Sequence, residues 1–265
     1  MESFSFEYWF MFPLAIIVST TANAAGFSGG TLFQPIYYFF LKVPIHNSVA
    51  TGIATETIGM TSGSIRYLYY KMVDLPIGFT ILLLAIPGII FGTHALAIIP
   101  GLLLKVVVGF ILLFLTTVQL INAIKKTFGT KEAIPVEDIY PYMPLPPVSG
   151  FLGATTGTGL AEMMQPFLEK KLGLQPKKAN ATAIMIQAIG DWITSILNIH
   201  SGFIIWEIFI FSGAGSMIGG QLGSWLSRYL PARLLKVVFS VCVMVIAVFY
   251  LYEGVKWIRS KYLLN

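Results

Sequence analysis

Residues 24–35 read AAGFSGGTLFQP, and the interpretation of this run decides what kind of chain carries it. Taken alone, Gly26-Phe27-Ser28-Gly29-Gly30 fits G-x-S-x-G, the nucleophile elbow of serine hydrolases, in which the serine sits on a sharp turn after a strand. The flanks argue for helices instead. From Tyr8 to Leu41 there is no charged residue, too long a stretch for one transmembrane helix of about 20 residues and too short for two full ones. The glycines divide it into a longer and a shorter piece. As a helix, Thr31 to Leu41 would rise only about 16 Å, about half of a hydrocarbon core.

The rest of the composition agrees. Of 265 residues, 56% are hydrophobic and 11% charged, with mean hydropathy +0.78. A soluble domain carries about 25% charged residues, so this chain has too little charge to cover a water-facing surface. It reads as an all-α integral membrane protein. The net charge of +5 then bears on the sidedness of lysine and arginine rather than on nucleic acid, and no nucleic-acid partner is expected. Cys242 is the lone cysteine, which excludes a disulfide within the chain and a cysteine-based metal site; neither metal nor cofactor is expected. Glu2 follows Met1 where a signal peptide would be basic, so the first apolar stretch reads as retained.

Further apolar segments run from Pro44 to Ile65, Leu75 to Leu104 and Val106 to Ile124. After a polar connection come Ile139 to Ala161, an amphipathic piece to Leu172, Ala179 to Ile199, Phe203 to Leu226 and Val237 to Tyr252. The chain repeats itself at a shift of 131. Gly26 falls on Gly157, Gln34-Pro35 on Gln165-Pro166, Ala50-Thr51 on Ala181-Thr182, Gly88 on Gly219 and Pro100 on Pro231. The organisation read from this is a first transmembrane repeat at 1–124, a cytoplasmic linker at 125–138 and a second repeat at 139–265, each repeat with about five apolar segments.

With the N-terminus outside, Arg66, Lys71, Lys125, Lys126, Lys131, Lys170, Lys171, Lys177, Lys178, Arg228, Arg233 and Lys236 lie inside, 12 of the 17 basic residues. That satisfies the positive-inside rule. Each half then has an odd number of crossings and the halves are oppositely oriented. Such inverted-topology repeats are a transporter signature, with short, broken or re-entrant glycine-rich helices near the midplane.

Backbone broken at membrane depth is tolerated where it is buried or lines a cavity. The helices starting near Thr31 and Gly159 would offer free N–H groups and a positive dipole end to an anion. The predicted substrate-binding set is therefore Gly26, Ser28, Gly29, Gly30, Thr31, Gln34 and Thr51 in one half. In the other it is Gly157, Thr158, Gly159, Gln165, Asn180, Thr182 and Gln187. No lysine or arginine falls near the centre of an apolar segment, so neutral donors and backbone would hold the anion. The alternative role for the glycines is close helix packing. Ser28 maps onto Gly159, which gives a nucleophile no support from the repeat. An intramembrane hydrolase using Ser28 with His94 or His200 stays as the distant alternative; His94 reads as a packed polar group, His46 and His200 as segment ends. A carrier or channel for another small anion, such as a carboxylate, is the nearer one.

Glu56, Glu162 and Asp191 lie in or beside apolar segments and are proton-coupling candidates. Glu56 maps onto Gln187, four residues before Asp191 on one helical face. Glu169 and Glu207 fall near predicted interfaces with no special role, and the aromatic clusters Tyr37–Phe40 and Tyr67–Tyr70 read as interfacial belts.

The run GFSGGTLFQPIYYFFLKVPIHNSVATGIATE (26–56) and its repeat GTGLAEMMQPFLEKKLGLQPKKANATAIMIQ (157–187) resemble the signature of sulfite exporter TauE/SafE-like membrane proteins. The matching positions are Gly26, Gly29, Gly30, Pro35, Pro44, Ala50 and Thr51, then Gly157, Gly159, Pro166, Pro176, Ala181 and Thr182. The second turn is poorer in glycine than that pattern and is followed by Glu162. The resemblance implies a permease or exporter for sulfite or an organosulfonate in the cytoplasmic membrane of a prokaryote. A proton-linked alternating-access cycle fits that implication.

Overall fold

The computed structural model describes residues 6–124 and 129–262; Lys125 and Lys126 of the predicted linker lie outside them. The described chain is helical, with no β-strand and one isolated bridge between Lys131 and Leu174. The first half builds α1 (Met11–Ala25), α2 (Gly30–Pro35), α3 (Ile45–Tyr69), α4 (Leu75–Ile98) and α5 (Gly101–Ile124). The second builds α6 (Leu145–Thr156), α7 (Leu160–Pro166), α8 (Pro176–His200), α9 (Trp206–Leu226) and α10 (Ala232–Tyr262). Helix α3 and helix α8 each have 25 residues and begin 131 positions apart.

Proline and glycine set the breaks. Gly26 ends α1 in the left-handed conformation (φ 83°), its N–H donating to Ala22 O at 2.9 Å. A Cβ there would also run into the Asn180 side chain. Pro35 and Pro166 lack an N–H, and the chain after each widens into a five-residue π-helical segment, Ile36–Phe40 and Phe167–Lys171. The predicted segment Leu75–Leu104 stops at Ile98, because Ile99 precedes Pro100 and is extended (ψ 127°). Ile139 lies in a 3-10 segment, Val136–Tyr142, and the helix predicted from that residue starts at Leu145. The connection predicted as solvated is partly pinned down: Ile134 is buried, and its N–H donates to Asp74 Oδ2 at 3.0 Å.

Helices of one half pack on those of the other in reciprocal pairs: α1 with α9 and α6 with α4, α9 with α3 and α4 with α8. The α1–α9 contact is a glycine stripe. Gly215, Gly219 and Gly223 face the carbonyls of Phe12, Ile16 and Thr20, so any side chain would collide with backbone. Gly88 and Gly92 do the same against Pro147 and Phe151 on α6. Gly88 and Gly219 therefore have close packing as their observed role, as does Gly220 against Gly59.

Two sets of loops gather at opposite ends. At one, Lys131 N donates to Gly173 O (2.9 Å), Lys178 Nζ to Glu132 O (2.7 Å), and Arg228 lies over the Tyr70 ring (4.2 Å). At the other, His46 Nε2 lies 2.8 Å from Ile99 O and Asn47 Nδ2 donates to Phe203 O (2.9 Å).

Leu104, Val108 and Leu112 of α5 are buried in one cluster with Val243, Ala247 and Tyr250 of α10, while Phe110, Phe114, Val241, Val245 and Phe249 face outward. Such an outward apolar face is suited to lipid. Four described helices are long and apolar enough to cross a membrane: Leu75–Ile98, Gly101–Asn122, Pro176–His200 and Lys236–Gly254. Helix α3 is long enough but lined with buried polar groups, among them Ser48, Thr51, Thr55, Glu56, Ser62 and Ser64.

Candidate functional site

The two glycine turns meet. Ser28, at the first, is fully buried; its Oγ lies 2.9 Å from the Gly157 carbonyl at the second and 2.6 Å from Glu56 Oε2. Thr31 Oγ1 lies 3.2 Å from Thr158 Oγ1 and donates to Glu162 Oε1 at 3.0 Å. Two acidic side chains close the junction. Glu56, from α3, receives Gly29 N (3.0 Å) and Gly30 N (2.7 Å). Glu162, from α7, receives Gly159 N (2.8 Å) and reaches across to Ser28 N (2.9 Å).

Burying a carboxylate costs several kcal/mol after relaxation, whereas a hydrogen bond to a charged group contributes about 1.5–3 kcal/mol. Three donors on Glu162, and two backbone N–H groups beside the Ser28 hydroxyl on Glu56, are thus of the size needed to offset much of that burial. The N–H groups at the starts of the short helices are therefore donating to the protein's own side chains. At the matched place in the second half, Gln187 Oε1 receives Ala161 N (2.8 Å), and its amide donates to Asp191 Oδ1 (2.7 Å). Asp191 Oδ2 is buried without a partner.

Other predicted residues sit further out. Gln34 is fully buried, its Oε1 toward Gly157 and neither amide atom partnered. Thr51 Oγ1 receives Ile205 N (3.0 Å) and Thr182 Oγ1 receives Asp74 N (2.9 Å), tying down the starts of α9 and α4 away from the junction. Asn180 donates to Tyr67 OH (3.1 Å) behind Gly26. Gln165, unlike Gln34, has a partner, donating to Glu169 Oε2 at 2.9 Å.

Several expectations need correction. Glu169 is buried, and its partner Lys236, read as a loop lysine, is buried with it at 2.6 Å. A charge pair thus lies buried near the start of α10, apart from the glycine-turn junction. The sequence held a faint signal: Glu162, Gln165 and Glu169 are spaced 3 and 4 apart along one helical face. Tyr37 and Tyr67 are not interfacial but fully buried, bonded to Thr55 (3.0 Å) and Asn23 O (2.9 Å). His94 is exposed rather than packed, as is His200, and His46 sits on Ile99 O. The serine–imidazole contact of a hydrolase is therefore not formed at Ser28.

The sequence profile of the family described as sulfite exporter TauE/SafE matches residues 11–250, which include both glycine turns. The chain belongs to the sulfite exporter TauE/SafE family. Membership makes it a multi-pass membrane transporter with a small-molecule substrate. Among its relatives is a Bacillus subtilis (strain 168) protein described as "Probable membrane transporter protein YunE", 23% identical over 91% of this chain and 96% of its own length. A Sinorhizobium sp protein described as "Probable membrane transporter protein ORF9" is 24% identical over 89% of this chain and 88% of its own. No solved structure matches the chain at a significant level.

Proposed function

We propose that this TauE/SafE protein carries a small sulfur oxyanion, sulfite or an organosulfonate, across the cytoplasmic membrane of a prokaryote by alternating access between two inverted repeats. The observation that carries the reading is the tip-to-tip contact of the two broken helices through Ser28, Thr31, Gly157 and Thr158. One tip comes from each half, so rocking one half against the other opens the junction. The loop ends support inversion: α3 runs from the Asn47–Phe203 end toward the Tyr70–Arg228 end, and α8 runs back. Lys71, Lys131, Lys177, Lys178 and Arg228 mark the second end as cytoplasmic under the positive-inside rule.

The donors for the anion are the N–H groups of Gly29, Gly30 and Gly159, with Ser28, Thr31, Thr158 and Gln34 around them. Glu56 and Glu162 hold those donors in the state described, so substrate and side-chain acid compete for one set of contacts. A proton is the natural currency of that exchange. Ser28 Oγ has one hydrogen and two oxygen neighbours, Glu56 Oε2 and Gly157 O. A proton on Glu56 completes both contacts. Glu56 takes the coupling role, with Glu162 and Asp191 as its electrostatic neighbours.

The test is uptake into proteoliposomes of sulfite, sulfate, thiosulfate, sulfoacetate, acetate and chloride at two pH values. Saturable flux of a sulfur oxyanion, dependent on pH in the wild type and independent of it in Glu56→Gln, is expected. Flux of acetate alone would make the substrate a carboxylate. Absence of any anion flux would sink the reading.

A further inference from the structure

At the basic end, Gly129, Thr130, Lys131, Lys170, Lys171 and Gly173 surround a cleft of about 460 Å³ that has Glu169 in its lining. Glu169 is only 1% exposed, so it forms the floor. Its Oε2 accepts two hydrogen bonds at once, from Lys236 Nζ (2.6 Å) and Gln165 Nε2 (2.9 Å). Lys236 is 6% exposed, and Gln165 is fully buried with Oε1 unpartnered. One carboxylate oxygen thus sits where an ammonium and an amide donor converge, below a rim of lysines.

We propose that Lys236 and Gln165 form an oxyanion-binding station on the cytoplasmic side of the transport route, and that Glu169 is its resident competitor. An oxygen of the incoming anion takes the place of Glu169 Oε2, and the displaced side chain turns toward Lys131, Lys170 and Lys171. From the station, the face of α7 leads through Gln165 to Glu162 at the junction. The inference rests on the transport reading.

Three observations set this pair apart from a structural one. A buried ion pair contributes little net stability compared with apolar groups of the same volume, so fold stability alone does not account for it. The matched positions in the first half show that the backbone does not need it: Tyr38 stands for Glu169, and Lys105, standing for Lys236, lies 4.7 Å from the Tyr38 ring. Finally, the floor acid is reached through a cleft rimmed by Lys170 and Lys171, with Lys131 paired to Asp138 at 3.3 Å, a net-positive rim that draws anions.

The experiment titrates sulfate and sulfite calorimetrically into the full-length protein in nanodiscs at fixed ionic strength, beside the uptake assay. Glu169→Gln removes the competing charge and keeps an acceptor for Lys236; it is expected to bind the anion about tenfold more tightly, as removal of a close charge competitor predicts. Lys236→Gln is expected to weaken binding by about tenfold or more, and Lys236→Arg to retain it. Lys236→Gln has its own fold check, the Glu169→Gln/Lys236→Gln double variant, in which neither charge is left unpaired. If the wild type binds and carries oxyanion while Glu169→Gln leaves affinity unchanged, the station is overturned and the transport reading stands. If the wild type neither binds nor carries any oxyanion, both fall together.

Discussion

Gln34 and Gln165 stand at matched places in the two short helices, yet one amide has no partner and the other donates to an acid. The same contrast recurs around them. At the 131-residue shift Glu56 corresponds to Gln187, Gly30 to Ala161, and Tyr38 with Lys105 to Glu169 with Lys236. The backbone at these sites is shared, down to the π-helical segments and to the Thr51 and Thr182 ties. The side chains have diverged in a consistent way. The first half leaves an uncommitted amide beside the junction; the second surrounds its amide with charge near the basic end. Matched backbone frames can thus carry different side-chain chemistry.

That comparison breaks first at the charge pair. Lys236→Met leaves Glu169 buried without its cation and is expected to cost about 3–5 kcal/mol. Lys105→Met removes its contact with the Tyr38 ring, worth about 1 kcal/mol. Denaturant titration of both variants in detergent tests the difference, and equal costs would mean that the halves are not distinct here. Next comes the junction. In Gly30→Ala the new Cβ meets Glu56 Oε2 and the Gly157 carbonyl, which is expected to destabilise by about 1–3 kcal/mol and to abolish uptake. The matched residue is already Ala161, so the comparison predicts no parallel clash there.

The threonine ties should behave alike. Thr51→Val and Thr182→Val each strand one backbone N–H and are expected to cost about 1–2 kcal/mol apiece. A large inequality would show that one loop is held by something else. The smallest effect on stability is expected from Gln34→Ala, within about 1 kcal/mol, since no hydrogen bond is lost. Its uptake should nonetheless fall sharply, whereas Gln165→Ala should lose stability as well. Thermal unfolding and flux measured on the same preparations separate the two outcomes.

Much of this frame was legible from residues alone. The 131-residue shift predicts the match between α3 and α8 because glycine and proline act locally, through φ and a missing N–H. Glu162 was legible in principle too: it bonds to Gly159 N three residues back, an ordinary helix-start pattern. Glu56 was not, because its contacts with Gly29 and Gly30 depend on how α3 crosses the turn. Lys236 was misread for a related reason. It opens a long apolar helix beside Arg233, as loop lysines do, and its burial comes from a π-helical segment 67 residues away in the chain. Tyr37 and Tyr67 show the same limit, since a tyrosine between other aromatics carries no local mark of the partner that buries its hydroxyl.

The reciprocal packing of α1 on α9 also has a meaning in time. Phe12 meets Gly215 about 200 residues further along the chain. At a synthesis rate of about 5–20 residues per second, the first helix waits about 10–40 s between leaving the ribosome and meeting the glycine stripe shaped for it. Over that interval lipid, the insertion machinery or α2 and α3 cover it, and its principal neighbour α9 does not yet exist. Assembly of this transporter is therefore late and collective, and its last helices complete the housing of its first.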